Sequence, residues 1–235
     1  MKSTVAWFVK EITMGVRERK EREKEQRRID ILESARQAFV KYGLEQTSMD
    51  RIAQEAELAK GTLYLYFKNR DELLIALIAD DFDRLIVMLE GVTKSNIDPE
   101  KKLLASIGTF NDFSKGNEFF YQVMTQFNIR SMIQQDAESE PVCHFRSVNQ
   151  RMMELLTSVV QEGVNKKVFF IDQPIQDIVV QLIVSLKGAM VILRNNMLPP
   201  EWMTHDVEFM LHSIACLMIK GLKSDEPPVT YQTLN

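Results

Sequence analysis

The sequence predicts an all-α protein, and three observations carry that prediction. No stretch sustains the apolar–polar alternation of a strand, and apolar residues instead recur at i, i+3, i+4 and i+7. Only 9 Gly and 7 Pro interrupt 235 residues. The expected architecture is an N-terminal three-helix helix-turn-helix domain followed by a larger helical ligand-binding and dimerisation domain. Its boundaries are a flexible, charged leader over 1–25, the three-helix domain over 26–85 with its helix-turn-helix at about 48–67, a body over 86–223 and a flexible tail over 224–235.

The elements follow in chain order. RERKEREKEQRR (17–28) mixes both charge signs and reads as a solvated helical extension in which Arg27 and Arg28 are candidate phosphate or minor-groove contacts. Ile31, Leu32, Ala35, Ala38, Phe39 and Tyr42 form one stripe, which Gly43 stops. Met49, Ile52, Ala53 and Ala56 form the next, with Thr47 placed to cap it and Asp50 three residues on. Leu63 and Phe67, one turn apart, mark the buried side of a helix of about two turns. Asn69 with Glu72 repeats the cap signature and opens a long helix ending near Gly91. Breaks at Asp98-Pro99, Gly116, Glu140-Pro141, 172–174 and 198–200 then delimit the helices of the body.

Charge is distributed unevenly. The net is −4, yet residues 1–70 hold fifteen Lys and Arg against eleven Asp and Glu, leaving +4 there and −8 over 71–235. A basic amino-terminal third on an acidic body implies that one end meets an anion. Cys143 and Cys216 lie inside apolar helical patterns and are expected to be reduced, buried thiols of a cytoplasmic protein. The start has a weak apolar stretch over 5–9, too short for a signal-peptide core, and Met14 is an alternative start. The most apolar run, 178–193, is broken by Gln181 and Lys187, so a core helix is expected there and no membrane partner.

Chemistry concentrates in LAKGTLYLYFKNRDEL (58–73). Two short helices about three residues apart, the second led by Lys60, Gly61 and Thr62, form the helix-turn-helix pattern. In that pattern the N-terminal end of the second helix enters the major groove. Lys60 supplies a mobile cation for phosphate or guanine, Gly61 allows close backbone approach, and Thr62 offers a hydroxyl and a methyl, the latter suited to thymine. Tyr64 and Tyr66 present phenols to phosphate oxygens while Leu63 and Phe67 hold the helix on its core, and Lys68 and Arg70 face the DNA backbone.

The stretch TSMDRIAQEAELAKGTLYLYFKNRDELL resembles the DNA-binding domain of the tetracycline-repressor (TetR) family of bacterial regulators over about residues 26–85, most strongly in KGTLYLYFKNRDELL. The resemblance implies that Lys60, Gly61, Thr62 and Tyr64 hold the main groove-contacting positions and Thr47, Ser48 and Arg51 the flanking ones. It also implies an all-α homodimer with a divergent effector-binding body. Two positions depart from the family pattern: Glu57 stands where a turn glycine is common, at a cost of about 1 kcal/mol if its backbone is left-handed. Ala59 stands where a capping serine is common, and the lost cap is worth ~0.5–2 kcal/mol.

The body is rich in large, adaptable side chains. Phe110, Phe113, Phe120, Met124, Phe127, His144 and Met152 are the candidate lining of a pocket for a small hydrophobic or aromatic effector; packed core is the alternative reading for each. The helices from Ile175 to Leu193 and from Val207 to Leu222 are apolar over more than one face, which a two-fold four-helix dimer interface would explain. Hydrolase, zinc-protease, P-loop and dinucleotide signatures are lacking, so no enzyme and no cofactor are expected. His144, His205 and His212 form no ligand-spaced set, and no metal is expected. The expected function is a DNA-binding transcriptional regulator, a repressor released from a palindromic operator by a small, largely apolar effector. The alternative is a helix-turn-helix protein without a small ligand, controlled by a protein partner.

Overall fold

α1 (Lys2–Tyr42) is one continuous helix, which differs from the flexible leader expected over 1–25. From residue 17 onward, good helix formers and i,i+4 partners support the helix: Arg17 pairs with Glu21 at 3.2 Å, Arg19 with Glu23 at 2.8 Å, and Gln26 donates to Asp30 at 2.9 Å. The computed structural model describes residues 2–126, 133–134 and 136–223, with side chains over 17–125, 133–134 and 136–223. Phe127 and the tail over 224–235 lie outside the described residues. No strand occurs among the described residues, and the fold is all-α. The chain divides into two compact units, 1–77 with 129–142 and 78–128 with 143–235.

In the first unit, Ile31, Leu32, Ala35, Ala38 and Phe39 of α1 are buried against α2 (Met49–Glu55), which contributes Met49, Ile52 and Ala53. Gly43 ends α1 at φ 84°, its N–H donating to Phe39 O at 2.9 Å. Thr47 does not cap α2. It is 1% exposed and its hydroxyl donates to Gly43 O at 2.7 Å and Ala38 O at 3.2 Å, closing the end of α1. Ser48 is the cap instead, accepting from Arg51 N at 3.3 Å. Glu55 accepts from Lys41 Nζ at 2.8 Å and the Tyr42 hydroxyl at 2.6 Å, tying α1 to α2. Those bonds hold the Glu55 carboxyl below its usual value, and the same carboxylate raises the Lys41 ammonium to about 12.

The turn into α3 (Lys60–Tyr64) is a left-handed helix stop. Glu57 sits at φ 53°, donating to Gln54 O at 3.1 Å, while Leu58 N–H reaches Ala53 O at 2.8 Å. A side chain in this conformation costs roughly 1–2 kcal/mol, partly offset by glycine's greater freedom in the unfolded chain. Glu57→Gly is therefore expected to raise stability by roughly 0.5–1 kcal/mol, read as a higher urea midpoint. An unchanged or lower midpoint would contradict the strain. α4 (Arg70–Thr93) opens as expected, with Asn69 Oδ1 accepting from Glu72 N at 2.7 Å and Glu72 accepting from Lys68 N at 2.5 Å.

The second unit holds the rest of α4, α5 (Pro99–Gly116), α6 (Glu118–Gln126), α7 (Glu140–Asn165), α8 (Ile175–Arg194), a 3-10 turn (Pro200–Trp202) and α9 (Val207–Leu222). One cluster joins Leu103, Val159, Val160, Phe169, Ile178, Val179, Ile219 and Leu222; a second joins Leu186, Met190, Leu193 and Leu211. Arg194 fastens the second to α5, donating to Asn111 Oδ1 at 2.6 Å and Ser114 Oγ at 3.1 Å, while Asn111 donates to Glu208 at 2.6 Å. α8 is long and apolar enough to cross a membrane by length and composition; it is not the core helix expected, since Ile178, Val179, Leu186, Met190 and Leu193 are buried but only 22% of its apolar window lies inside. Cys143 and Cys216 are exposed rather than buried, because each falls on the outer face of its helix. The helical pattern around them is real; the thiols simply lie off its apolar stripe.

Candidate nucleic-acid interface and ligand cavity

α3 is only five residues long, shorter than the two turns expected, so Tyr66 and Phe67 lie in the turn that follows it; helix and turn together present two divided sides. Leu63 is fully buried and Phe67 is 2% exposed, with the Arg28 guanidinium stacked 5.6 Å from the Phe67 ring centre, so Arg28 packs against this core. On the other face Lys60, Gly61 and Tyr64 are exposed, with Thr62 and Tyr66 half-buried. Ala59 makes no side-chain cap, which leaves the first N–H groups of α3 without a hydroxyl partner. Lys60 Nζ lies 2.5 Å from Asp50 Oδ1 at the start of α2, and that hydrogen bond holds its ammonium above the usual lysine value. Lys60 is thus charged at any physiological pH.

The flanking positions separate into three kinds. Ser48 and Arg51 are exposed on α2, with the Arg51 guanidinium stacked on Tyr42 at 4.6 Å, pre-set rather than loose. Lys68 is exposed and 3.4 Å from Asp136. Thr47 and Arg70 are differently placed. Thr47 is buried, because its hydroxyl is needed by the carbonyls at the end of α1. Arg70 is half-buried and its guanidinium donates to Leu44 O at 3.1 Å, Glu45 O at 3.3 Å and Asp71 at 3.1 Å, bracing the α1–α2 turn. Two features were not read from the sequence: the Asp50 partner of Lys60, and Leu65, a large apolar side chain left 79% exposed beside Tyr64. The first follows from folding α2 against α3 and has no local signal; the second is visible as an apolar residue off the Leu63–Phe67 stripe.

The second unit holds a partly open cavity of about 250 Å³. α7 lines it with Phe145, Asn149, Met152 and Leu156 at helical spacing, and α5 with Leu103, Ser106, Ile107 and Phe110. Phe82 and Leu89 of α4, Met124 of α6, and Val179, Leu182, Ile183, Leu186 and Lys187 of α8 complete the wall. Of the expected pocket residues, Phe110, Met124 and Met152 line it. Phe120 does not: it is fully buried, edge-on to Phe82 at 5.4 Å, Phe110 at 5.8 Å and Phe113 at 5.0 Å, and so forms the packed floor of that corner. Phe113 lies one turn beyond the α5 residues that face the cavity and packs on Phe120 instead.

His144 also faces elsewhere. Its Nε2 is 2.7 Å from Asp83 Oδ2, tying α7 to α4, and Asp80 joins them so that one ligand atom from each residue lies within 4.8 Å of the others. The sequence spacing concealed this trio, since Asp80 and Asp83 share α4 while His144 comes from α7. It is a His–carboxylate cluster whose ligand atoms could hold a divalent ion.

Residues 31–77 match the family profile of bacterial regulatory proteins, tetR family. The amino-terminal segment carries the tetR-family signature. The buried Leu63 and Phe67 and the exposed Lys60 and Tyr64 all fall inside the matched tetR segment. The chain is 28% identical over 109 residues to the "Fatty acid metabolism regulator protein" of Bacillus subtilis, covering 46% of this chain and 56% of that protein. It is 28% identical over 101 residues to the HTH-type transcriptional repressor KstR of Mycolicibacterium smegmatis, covering 43% and 50%. The chain thus spans about half the length of the curated relatives it matches. Beyond the tetR domain the likeness is one of fold: the transcriptional regulator FadR from Bacillus subtilis, solved in complex with stearoyl-CoA, superposes at TM-score 0.65 with 18% identity, covering 82% of this chain and 98% of that one. A fatty acid degradation regulator, FadR from Bacillus halodurans, superposes at 0.65 with 20% identity, covering 84% and 96%.

Proposed function

We infer that this protein is a cytoplasmic DNA-binding transcriptional regulator, a repressor whose hold on a palindromic operator is released by a small, largely apolar effector in the cavity of the second unit. One observation carries the reading: a tetR-family helix pair whose second helix is anchored by Leu63 and Phe67 and offers Lys60, Gly61 and Tyr64 outward. Ser48, Arg51, Thr62, Tyr66 and Lys68 are the supporting contacts, while Thr47 and Arg70 act by positioning. A mainly apolar, partly open cavity supports a small effector over control by a protein partner.

The reading includes a homodimer. Val180, Val184 and Ile192 of α8 and Phe209 and Leu217 of α9 are exposed at 41–66%, an apolar surface that a second copy would cover. Two-fold symmetry then matches an inverted-repeat site, with half-sites about 34–36 Å apart or a multiple of that. Selection from a random duplex library tests this. Recovery of an inverted repeat bound by a dimer is the expected result; a protein that retains no duplex, or retains all sequences equally, would overturn it.

A further inference from the structure

Lys187 is out of keeping with the rest of the cavity. It is the one ionisable group among the described residues that line it, set on the same helical stripe as Ile183 and Leu186. No ion pair to it occurs among the described residues, and burial alone holds its ammonium below the usual lysine value. Burying part of a cation beside an apolar wall is unfavourable unless an anion meets it. Yet Lys187 remains exposed as a whole, so it borders solvent as well as the cavity, whose other walls are aliphatic, aromatic and thioether groups with Ser106 and Asn149.

We propose that the cavity takes a long-chain aliphatic carboxylate, its chain lying between Ile107, Met152, Leu182 and Ile183 and its carboxylate bound by the Lys187 ammonium. This rests on the reading of the cavity as the effector site and specifies its chemistry. The space is small, about 250 Å³ against roughly 300–1,000 Å³ for common small-molecule clefts, which a flexible chain can fill more readily than a bulky fused ring system. Met124 and Met152 adapt to such a chain without polar cost. A single cation matches a single negative charge. A head bearing several phosphates would call for several cations, and none but Lys187 faces this space among the described residues.

The test is titration calorimetry of the full chain, as wild type, Lys187→Met and Lys187→Arg, with dodecanoate, dodecan-1-ol and dodecanoyl-CoA. Wild type is expected to bind dodecanoate roughly tenfold or more tightly than the alcohol, as a charge-assisted contact requires. Lys187→Met removes that preference by weakening the acid and not the alcohol, and Lys187→Arg keeps it. Equal binding of acid and alcohol by wild type, an unchanged preference in Lys187→Met, or dodecanoyl-CoA bound more tightly than the acid overturns the proposal while leaving an apolar effector site in place. Failure of both acid and alcohol to bind wild type would overturn the effector reading with it.

Discussion

Lys60→Ala and Tyr64→Ala each weaken binding to the selected duplex by about 1–3 kcal/mol, roughly 5–150-fold, with dimerisation and helix content unchanged. Both side chains stand clear of the core, at 57% exposure for the Lys60 side chain and 45% for Tyr64, so neither substitution disturbs packing. The Lys60 variant suffers twice. It loses a cation at the mouth of α3, and it leaves Asp50 uncompensated beside the phosphates. A phosphate role for Lys60 shows as a log–log salt slope shallower by about one; a base-edge role shows as relaxed specificity at one position. Tyr64→Phe separates hydroxyl from ring, since it retains affinity only if the ring does the binding. If both alanine variants hold DNA as wild type does, α3 is not the reading helix.

Gly163→Ala strongly destabilises the second unit. A Cβ at this position would lie 2.0 Å from one ring carbon of Phe169, with two more within 2.8 Å. The ring cannot retreat cheaply. Phe169 is 2% exposed in the cluster with Val159, Ile178 and Ile219, its N–H donates to Gly163 O at 3.1 Å, and the left-handed Lys167 at φ 57° fixes the turn between them. Overpacking of this kind costs about 1–3 kcal/mol, and a clash with a whole ring belongs at the upper end, a fall in Tm of roughly 6–12 °C at about 2–4 °C per kcal/mol. Phe169→Ala alone costs about 3–5 kcal/mol, and the double variant is less destabilised than the two effects added, because the clash disappears with the ring. Wild-type melting of Gly163→Ala would show that the turn relaxes freely.

What the sequence made legible is what depends on local spacing. The Ile31–Phe39 stripe, the stop at Gly43, the Asn69–Glu72 cap and the Leu63–Phe67 anchor are set by neighbours within a turn, and each stands where the pattern put it. Glu57 illustrates the same point in reverse, since its left-handed backbone follows from where α2 must stop, whatever side chain is present. Long-range contacts were hidden. Thr47 looked like a cap until its hydroxyl was claimed by Gly43 and Ala38, and Arg70 looked like a phosphate ligand until Leu44 and Glu45 claimed its guanidinium. Composition picked out Phe110, Met124 and Met152, which line the cavity, but could not tell them from Phe120, which the fold spends on packing. Lys187 was read only as an interruption of an apolar run. Its position on the Ile183–Leu186 stripe was the available signal, because a lysine in line with apolar residues that face a cavity needs a reason.

A ligand in the second unit is expected to control DNA binding by the first. The most direct test is fluorescence anisotropy of the selected duplex, titrated with protein in the absence and presence of saturating dodecanoate. Linkage sets the size of the effect: a coupling of about 1–3 kcal/mol raises the apparent Kd for DNA about 5–150-fold, and the duplex weakens dodecanoate binding by the same factor. That reciprocal release is the expected result. A protein that calorimetry shows to be loaded with dodecanoate, yet holds the duplex with unchanged affinity, would contradict the account.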